Sequence, residues 1–374
     1  MNPIVIVGAG QAGATAATEL RDRGHDGPIV LIGAEGHPPY ERPPLSKGYL
    51  LGNDPVEAAY VHEPQWYADH DVELHLGTMV TGVDLAGRRV ATATGRDFSY
   101  DRLLIATGSQ PRRLAFADAS GVPTAYLRTV EDSDRIRAAF GPGRRLVVIG
   151  AGWIGLEVAA AARAAETEVV VFEAAELPLL RVLGPQVAGI FADLHRSHGV
   201  DLRLSASVGL DDLAGADLVV VGVGATPSVA LAEAAGLAVD NGVLVDATLR
   251  TSDPFVYAVG DVANHDHPVL RRRVRVEHWD TAIEQAKVAA HNLLGAEERY
   301  EGLPYFFTDQ YDLGMEYVGY AAADADTSVV ISGDPSCGSW RAYWVSGGVV
   351  AAGMHVNEWG AIDEIREQIG HPLT

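Results

Sequence analysis

Two glycine turns, GAGQAG at residues 8–13 and GAGWIG at residues 150–155, share the spacing Gly-x-Gly-x-x-Gly. The glycines are Gly8, Gly10 and Gly13 in the first, and Gly150, Gly152 and Gly155 in the second. The chemistry this spacing permits is pyrophosphate binding. The first glycine allows a tight turn, the second lets backbone approach the phosphates, and the third lets a helix close on its strand so that its leading N–H groups meet the anion. One such turn is a weak signal, because glycine-rich strand–helix turns also arise for packing. A carboxylate about 20 residues on, placed to accept a ribose hydroxyl, strengthens it. Glu35 closes IVLIGAE and Glu173 closes EVVVFE, so both turns have that partner. Two bound dinucleotides are expected.

Glu173 also bears on the choice of nicotinamide. Its carboxylate faces the ribose position, where NADPH carries a doubly charged phosphate, and FEAAELP offers no arginine to offset the clash. Like charges about 4 Å apart cost on the order of 4 kcal/mol at a near-surface dielectric, as an upper figure. A preference for NADH follows, with Arg181 the one nearby cation able to weaken it. A second cation is conspicuous: YERPPLSKGYL (Tyr40 to Leu50) presents Lys47 beside two prolines, which fix the chain's direction and remove donors.

The elements that must position these residues are legible. IVIVGAGQAGATAATELRDRG reads as buried strand, turn and helix, with the strand IVLIGAE after it, and RLVVIGAGWIGLEVAAAARAAETEVVVFEAAE repeats the pattern. These are two units of the doubly wound type. DRLLIATGSQPRRL, ADLVVVGVGATPS and DPFVYAVGDVA are further buried strands running into polar turns. Residues from about Tyr60 to Tyr100 hold short strand candidates, and AIEQAKVAAHNLLG is a helix ending at Gly295. From about Leu303 the chain turns aromatic, with hairpin alternation in SWRAYWVSGGVVAAGMHV and a closing helix AIDEIREQIG. That is a third, smaller α+β domain.

Composition agrees. A chain of 374 residues suits two or three domains. Cys337 is the only cysteine, which excludes a disulfide framework, a CxxC redox pair and a cysteine-ligated metal or iron–sulfur site within the chain. Redox chemistry must then come from a bound cofactor. A formal net charge of −22 argues against nucleic acid and anionic membranes as general partners. MNPIVIVGAG does not read as a signal peptide, and no apolar stretch is long enough to span a bilayer. A cytoplasmic location is expected.

YERPPLSK, LLIATGSQPR, YLRTVEDSDRIR, GAGWIGLEVAA, VVGVGATP, VYAVGDVA, VEHWDTAIEQAKVAA and YFFTDQYDLGMEYVGY occur in that order. Together they resemble the NADH-dependent ferredoxin reductases of bacterial oxygenase systems, a family that includes putidaredoxin and rubredoxin reductases. Apoptosis-inducing factor is a more distant cousin. The resemblance implies a glutathione reductase-like α/β fold with two doubly wound domains and a small C-terminal α+β domain. Its boundaries would be 1–113 and 245–302 for FAD, 114–244 for NAD and 303–374 for the C-terminal domain. FAD would sit at the first turn and NADH at the second.

The resemblance also implies roles. Arg42 and Lys47 would contact FAD, with Lys47 near the flavin N5 and O4 edge and Glu157 pairing with it across the domain boundary. A cation there stabilises the negative charge of reduced flavin, and Glu157 would keep the ammonium charged. Asp261, after Gly260, would hold the ribityl–pyrophosphate region, and Arg128 would also reach FAD. Glu277, His278 and Trp279 would lie by the isoalloxazine, with Phe307 facing it. Lys47, Glu157, Trp279 and Phe307 are the expected catalytic set. Gln11, Ala12, Val80, Ala106, Thr107, Gly108, Trp153, Ile154 and Gly224 complete the expected cofactor-binding set. The family often has Trp where Phe307 stands and Asn where Ser228 follows GATP. LRLSASVGLDDLAGADLVVVG is short, as if a hairpin at the rim were trimmed.

Alternation in VLRRRVRVEHW would put Arg271, Arg273 and Arg275 on one strand face. With Arg112 and Arg113 they are candidates for docking an acidic ferredoxin, since a local patch outweighs distant charge beyond a Debye length of about 8 Å. Pairing with the surplus carboxylates is the equal alternative. HDH (265–267) and the i, i+3 pair His195 and His198 read as solvated histidines, with no metal site expected. Ser46, Ser109 and Ser252 lack the context of a nucleophile, and Cys337 has no basic neighbour to activate it. The leading expectation is an FAD enzyme that takes a hydride from NADH and passes single electrons to an iron–sulfur ferredoxin serving an oxygenase. A quinone, small radical or oxygen as acceptor is the alternative. A redox-gated binding protein of the apoptosis-inducing-factor kind is a third. The chain is expected to be a monomer or homodimer.

Overall fold

Uninterrupted Val/Ile/Leu runs suit strands that are covered on both faces, which is the signature of parallel sheets. Ile4–Val7, Ile29–Ile32 and Leu218–Val221 are such runs, and every residue in them is buried. The computed structural model describes residues 2–321 and 327–373. In it the chain divides into two compact units.

The first unit comprises Met1–Arg42, Val56–Gln110 and Thr226–Pro304. Its parallel sheet runs in the order Val256–Ala258, Arg102–Ile105, Ile4–Val7, Ile29–Ile32, Val72–His75. The order reverses at Ile4–Val7, and the crevice beyond the carboxyl ends of strands at such a switch point is where doubly wound folds hold ligands. The helices Gln11–Asp22 and Trp279–Leu293 pack together in this unit.

The second unit comprises Pro43–Pro55, Pro111–Ala225 and Tyr305–Thr374. It repeats the design with the order Asp201–Arg203, Glu168–Phe172, Arg145–Ile149, Leu218–Val221, Thr124–Ala125. It also holds an antiparallel sheet in the order Tyr305–Gln310, Leu313–Gly319, Val349–Val356, Ser339–Ser346, Thr327–Asp334, with the helix Ala361–Gln368. Phe306, Met315, Tyr317 and Trp344 from this sheet share one core with Val148, Leu156 and Phe191.

The second unit takes in residues 43–55 and 111–113 and the C-terminal residues 305–374, and the first takes in residues 226–244. Residues 43–55 belong to the second unit because Leu45 O accepts from Ser133 Oγ at 2.8 Å and Tyr49 Oη donates to Asp134 at 2.7 Å. Residues 226–244 belong to the first, where Ala232 and Leu237 enter its core. Consequently Lys47 and Glu157 lie within one unit. Between Asp201–Arg203 and Leu218–Val221 the chain forms only the short helix Leu210–Leu213, the stretch expected to be trimmed.

Candidate functional site

Both glycine turns are built alike. Gly8 has φ +117, and a Cβ on it would meet Ala106 O at 2.1 Å; one on Gly13 would meet Gly8 O at 2.0 Å. In the second turn Gly150 has φ +101 with Gly222 O at 2.4 Å, and Gly155 faces Gly150 O at 2.1 Å. The first and third glycines are thus demanded by the protein's own backbone. The middle ones are not. A Cβ on Gly10 meets nothing within 4 Å, and one on Gly152 meets only Gly222 O at 3.8 Å.

Gly10 and Gly152 are also the N-caps of the helices Gln11–Asp22 and Trp153–Ala164, and neither helix has a capping side chain or an acid in its first turn. Their leading N–H groups, which carry the positive end of the helix dipole, are left for an outside acceptor. Gln11 lends its Nε2 to Thr15 Oγ1 at 3.1 Å, while its Oε1 is buried without a partner. Open room over the middle glycine and uncapped N–H donors fit a pyrophosphate-bearing group, while the orphaned amide oxygen is an acceptor left for a donor such as a hydroxyl.

The two acids are held differently. Glu35 accepts from Arg42 Nη2 at 2.7 Å and from the Tyr40 hydroxyl. Burial pushes the Tyr40 hydroxyl up from its ordinary pKa, with the Glu35 carboxylate adding to it. Glu173 accepts from the backbone N–H of Ala151 at 2.7 Å and of Ala175 at 2.8 Å. That ties the carboxylate to the glycine turn itself. Both bonds are from backbone, and among the described residues Glu173 forms no ion pair.

The remaining expected residues of the first unit lie on several of its elements. Ala106 O presses on Gly8, Thr107 Oγ1 donates to Ser228 O at 3.0 Å, and Gly108 follows with φ +66. Gly260 N donates to the buried Gln285 at 2.9 Å, and Asp261 accepts from Ser109 Oγ at 2.7 Å. Val80 opens the strand Val80–Asp84. His278 caps the helix that Trp279 begins. Burial pushes the Glu41 carboxyl up, and a hydrogen bond from Trp279 offsets that in part. Ala12 is buried in the first-unit core.

In the second unit the prolines do what their position suggests. Pro43–Ser46 forms a turn of 3₁₀ helix, Lys47 N donates back to Pro44 O at 3.0 Å, and Lys47 caps the short helix Gly48–Leu51. Its Nζ lies 2.8 Å from Glu157 Oε2 and 5.3 Å from the Phe307 ring centroid. Glu157 is only 3% exposed and Lys47 16%. Ser46 Oγ also donates to Glu157 Oε2, and Thr308 Oγ1 donates to Oε1 at 2.5 Å. Asp309, beside Phe307, feels the same pair: burial raises its pKa, Lys47 opposes the rise and Glu157 adds to it. Trp153 packs on Phe306 at 4.8 Å, Ile154 is exposed, Gly224 has φ +99, and Arg128 N donates to Asp132 at 3.1 Å.

Three expectations are corrected. The arginine alternation does not run through one strand. The strand covers only Arg272–Val274, Arg271 sits in the turn before it at φ +52, and Arg273 and Arg275 serve their own unit. Arg273 Nη1 donates to Val245 O and Asn264 O at 3.1 and 3.0 Å, and Arg275 to Glu277 at 2.5 Å and Asp261 O at 3.2 Å. Arg112 and Arg113 remain at the surface, the latter 68% exposed and paired with Asp118. Second, His265 and His267 are not solvated but buried in the strand Ala263–His267. Third, His195 is fully buried, while His198 is exposed and stacks on Tyr311 at 3.7 Å. No group of metal-binding side chains occurs among the described residues. Tyr40, Thr308, Asp309 and Gln310, and the bond from Ser46 to Glu157, escaped the sequence reading. The alternation of YFFTDQ was the one signal for Thr308 and Gln310, since it sends both to the buried face.

Comparison with known proteins adds to this geometry. Residues 2–286 match the family model described as pyridine nucleotide-disulphide oxidoreductase, and residues 305–372 match a reductase C-terminal model. The chain is 42% identical to the ferredoxin–NAD(+) reductase component of an anthranilate 1,2-dioxygenase system from Burkholderia cepacia, over 95% of this chain and 91% of that one. It is 38% identical to putidaredoxin reductase of Pseudomonas putida, over 95% and 88%. A covalent putidaredoxin reductase–putidaredoxin complex superposes with a TM-score of 0.91 at 37% identity, covering 98% of this chain and 91% of that one.

Proposed function

The chain belongs to the pyridine nucleotide-disulphide oxidoreductase family, and on that premise we propose that it is an FAD-dependent reductase carrying electrons from NADH to an iron–sulfur ferredoxin that serves an oxygenase. When bound, FAD supplies the chemistry that joins a two-electron hydride donor to a one-electron acceptor. The observation that carries the reading is the duplicated turn whose middle glycine faces open space, in a chain with one cysteine. Two dinucleotides and no disulfide leave the flavin as the redox centre.

The chain's own residues supply the rest. The helix from Gln11 meets the FAD pyrophosphate, with Glu35, held by Arg42, on the ribose and Asp261 on the ribityl–pyrophosphate region. The helix from Trp153 meets the NADH pyrophosphate, with Glu173 on the ribose. Glu173 disfavours a 2′-phosphate because its charge is uncompensated. Lys47 places a cation by the flavin ring, and Glu157 fixes that cation's position. Phe307 lines the nicotinamide approach. Arg112 and Arg113 are surface cations that would meet an acidic ferredoxin. Among the described residues no helix is long and apolar enough to cross a membrane; we propose that the protein works in the cytoplasm.

The test is acceptor-resolved turnover. NADH oxidation coupled to a [2Fe–2S] ferredoxin should proceed at low micromolar ferredoxin and outpace menadione and oxygen. Turnover with menadione or oxygen alone would refute the ferredoxin assignment.

A further inference from the structure

Behind Glu157 lies a connected set of polar side chains. Thr308, Gln310 and His195 are each fully buried, and they are joined by a run of hydrogen bonds: Thr308 to Glu157 at 2.5 Å, Gln310 Nε2 to Thr308 Oγ1 at 3.1 Å, His195 Nε2 to Gln310 Oε1 at 2.8 Å, Tyr311 Oη to His195 Nδ1 at 3.1 Å. Buried polar groups are costly unless fully paired, and full pairing makes such a network rigid.

The direction of the chain is forced. A carboxylate only accepts, so the single hydroxyl hydrogen of Thr308 is spent on Glu157. Thr308 Oγ1 must then accept, which turns the Gln310 amide nitrogen toward it and the amide oxygen toward His195. His195 therefore carries its hydrogen on Nε2, and its Nδ1 accepts from Tyr311. Four donors in series point at one carboxylate. A glutamine amide passes orientation, not protons, so the chain is a support.

We propose that Thr308, backed by Gln310 and His195, is a positioning residue for the Lys47–Glu157 pair: its hydroxyl takes up part of the Glu157 charge, so that less of the Lys47 charge is neutralised and more acts on the flavin. The inference rests on the FAD–NADH reading above. β-Hydroxyl geometry alone does not require it, because valine would fill the same space.

The test compares Thr308→Val and Thr308→Ser in the FAD-loaded protein, reading the flavin midpoint potential, the rate of flavin reduction by NADH, and Tm. Loss of one charge-assisted hydrogen bond predicts a more negative potential and an equilibrium constant for reduction by NADH about tenfold lower in Thr308→Val. Thr308→Ser should return both to the parent values. Gln310→Met, which cuts the chain one link back, should move the potential in the same direction by less. A lowered Tm with potential and rate unchanged in Thr308→Val and Gln310→Met would overturn the inference and leave the function standing. A parent protein that takes up no FAD would overturn both.

Discussion

Lys47 Nζ and Glu157 Oε2 lie 2.8 Å apart, one on a proline-braced turn and the other in the helix that follows the second glycine turn. The carboxylate is almost wholly buried. Lys47→Met strips it of its cation, which for a buried pair costs about 3–5 kcal/mol of stability. On the proposed function it also removes a cation that acts on the flavin, worth on the order of 4 kcal/mol at about 4 Å as an upper figure. Rapid-reaction kinetics should show flavin reduction slowed at least about tenfold, and calorimetry a lower Tm. Parent-like values in both would contradict the assignment.

The glycine turns separate two kinds of glycine. Gly8→Ala puts a Cβ 2.1 Å from Ala106 O at a φ of +117 and should leave little folded protein. Gly10→Ala meets no protein atom within 4 Å. It should fold with a Tm near the parent's yet hold FAD at least about tenfold more weakly, measured by the flavin lost on dialysis. Equal FAD retention in Gly10→Ala and the parent would show that the pyrophosphate lies elsewhere.

Glu173 accepts two backbone N–H groups and, among the described residues, forms no ion pair. Glu173→Ala should raise the KM for NADH and bring the NADH-to-NADPH ratio of kcat/KM down by at least about tenfold, within the upper figure for a charge–charge contact at this dielectric. An unmoved ratio would refute its place at the ribose.

Acid should destabilise the fold through its buried histidines. Burial depresses His195 and His265 to a pKa of about 4, against about 6.5 in an unfolded chain. Between those values the unfolded state binds the extra protons. Stability therefore falls as pH drops through 6.5 and levels near 4, by about 1.4 kcal/mol per pH unit for each histidine. Urea midpoints between pH 7 and 4.5 check this, and His195→Gln should flatten the slope. A midpoint independent of pH would contradict the burial of both.

Arg113 and Arg273 answer differently. Arg113 is 68% exposed and paired only at the surface with Asp118, a contact of little energetic weight. Arg113→Glu should raise the KM for ferredoxin and spare ferricyanide reduction. Arg273→Ala frees two backbone carbonyls and should lower Tm with no selective effect on ferredoxin. Equal loss with both acceptors in Arg113→Glu would rule out docking there.

What the sequence revealed follows a physical divide. The glycine turns, the acids that close their second strands and the strand–helix repeats are local patterns, and each is where the pattern puts it. Lys47 was found from local chemistry, and composition singles it out again, because it is one of two lysines in a chain whose other cations are arginines. Its coupling to Thr308, Gln310 and His195 joins residues more than a hundred positions apart and left no local mark beyond one strand's alternation. The arginine pattern misled because the real strand is three residues long, so the period ran past its ends. HDH misled because a polar triplet can still be a buried strand when neighbouring rings, here Tyr300 at 5.3 Å from His265, cover it.

The most direct check is an anaerobic titration of the purified, FAD-reconstituted protein with NADH, following the flavin absorbance. One equivalent of NADH should bleach the flavin fully, and one equivalent of flavin should then reduce two of a [2Fe–2S] ferredoxin. Protein that binds no flavin, or a bound flavin that NADH leaves yellow, would contradict the account.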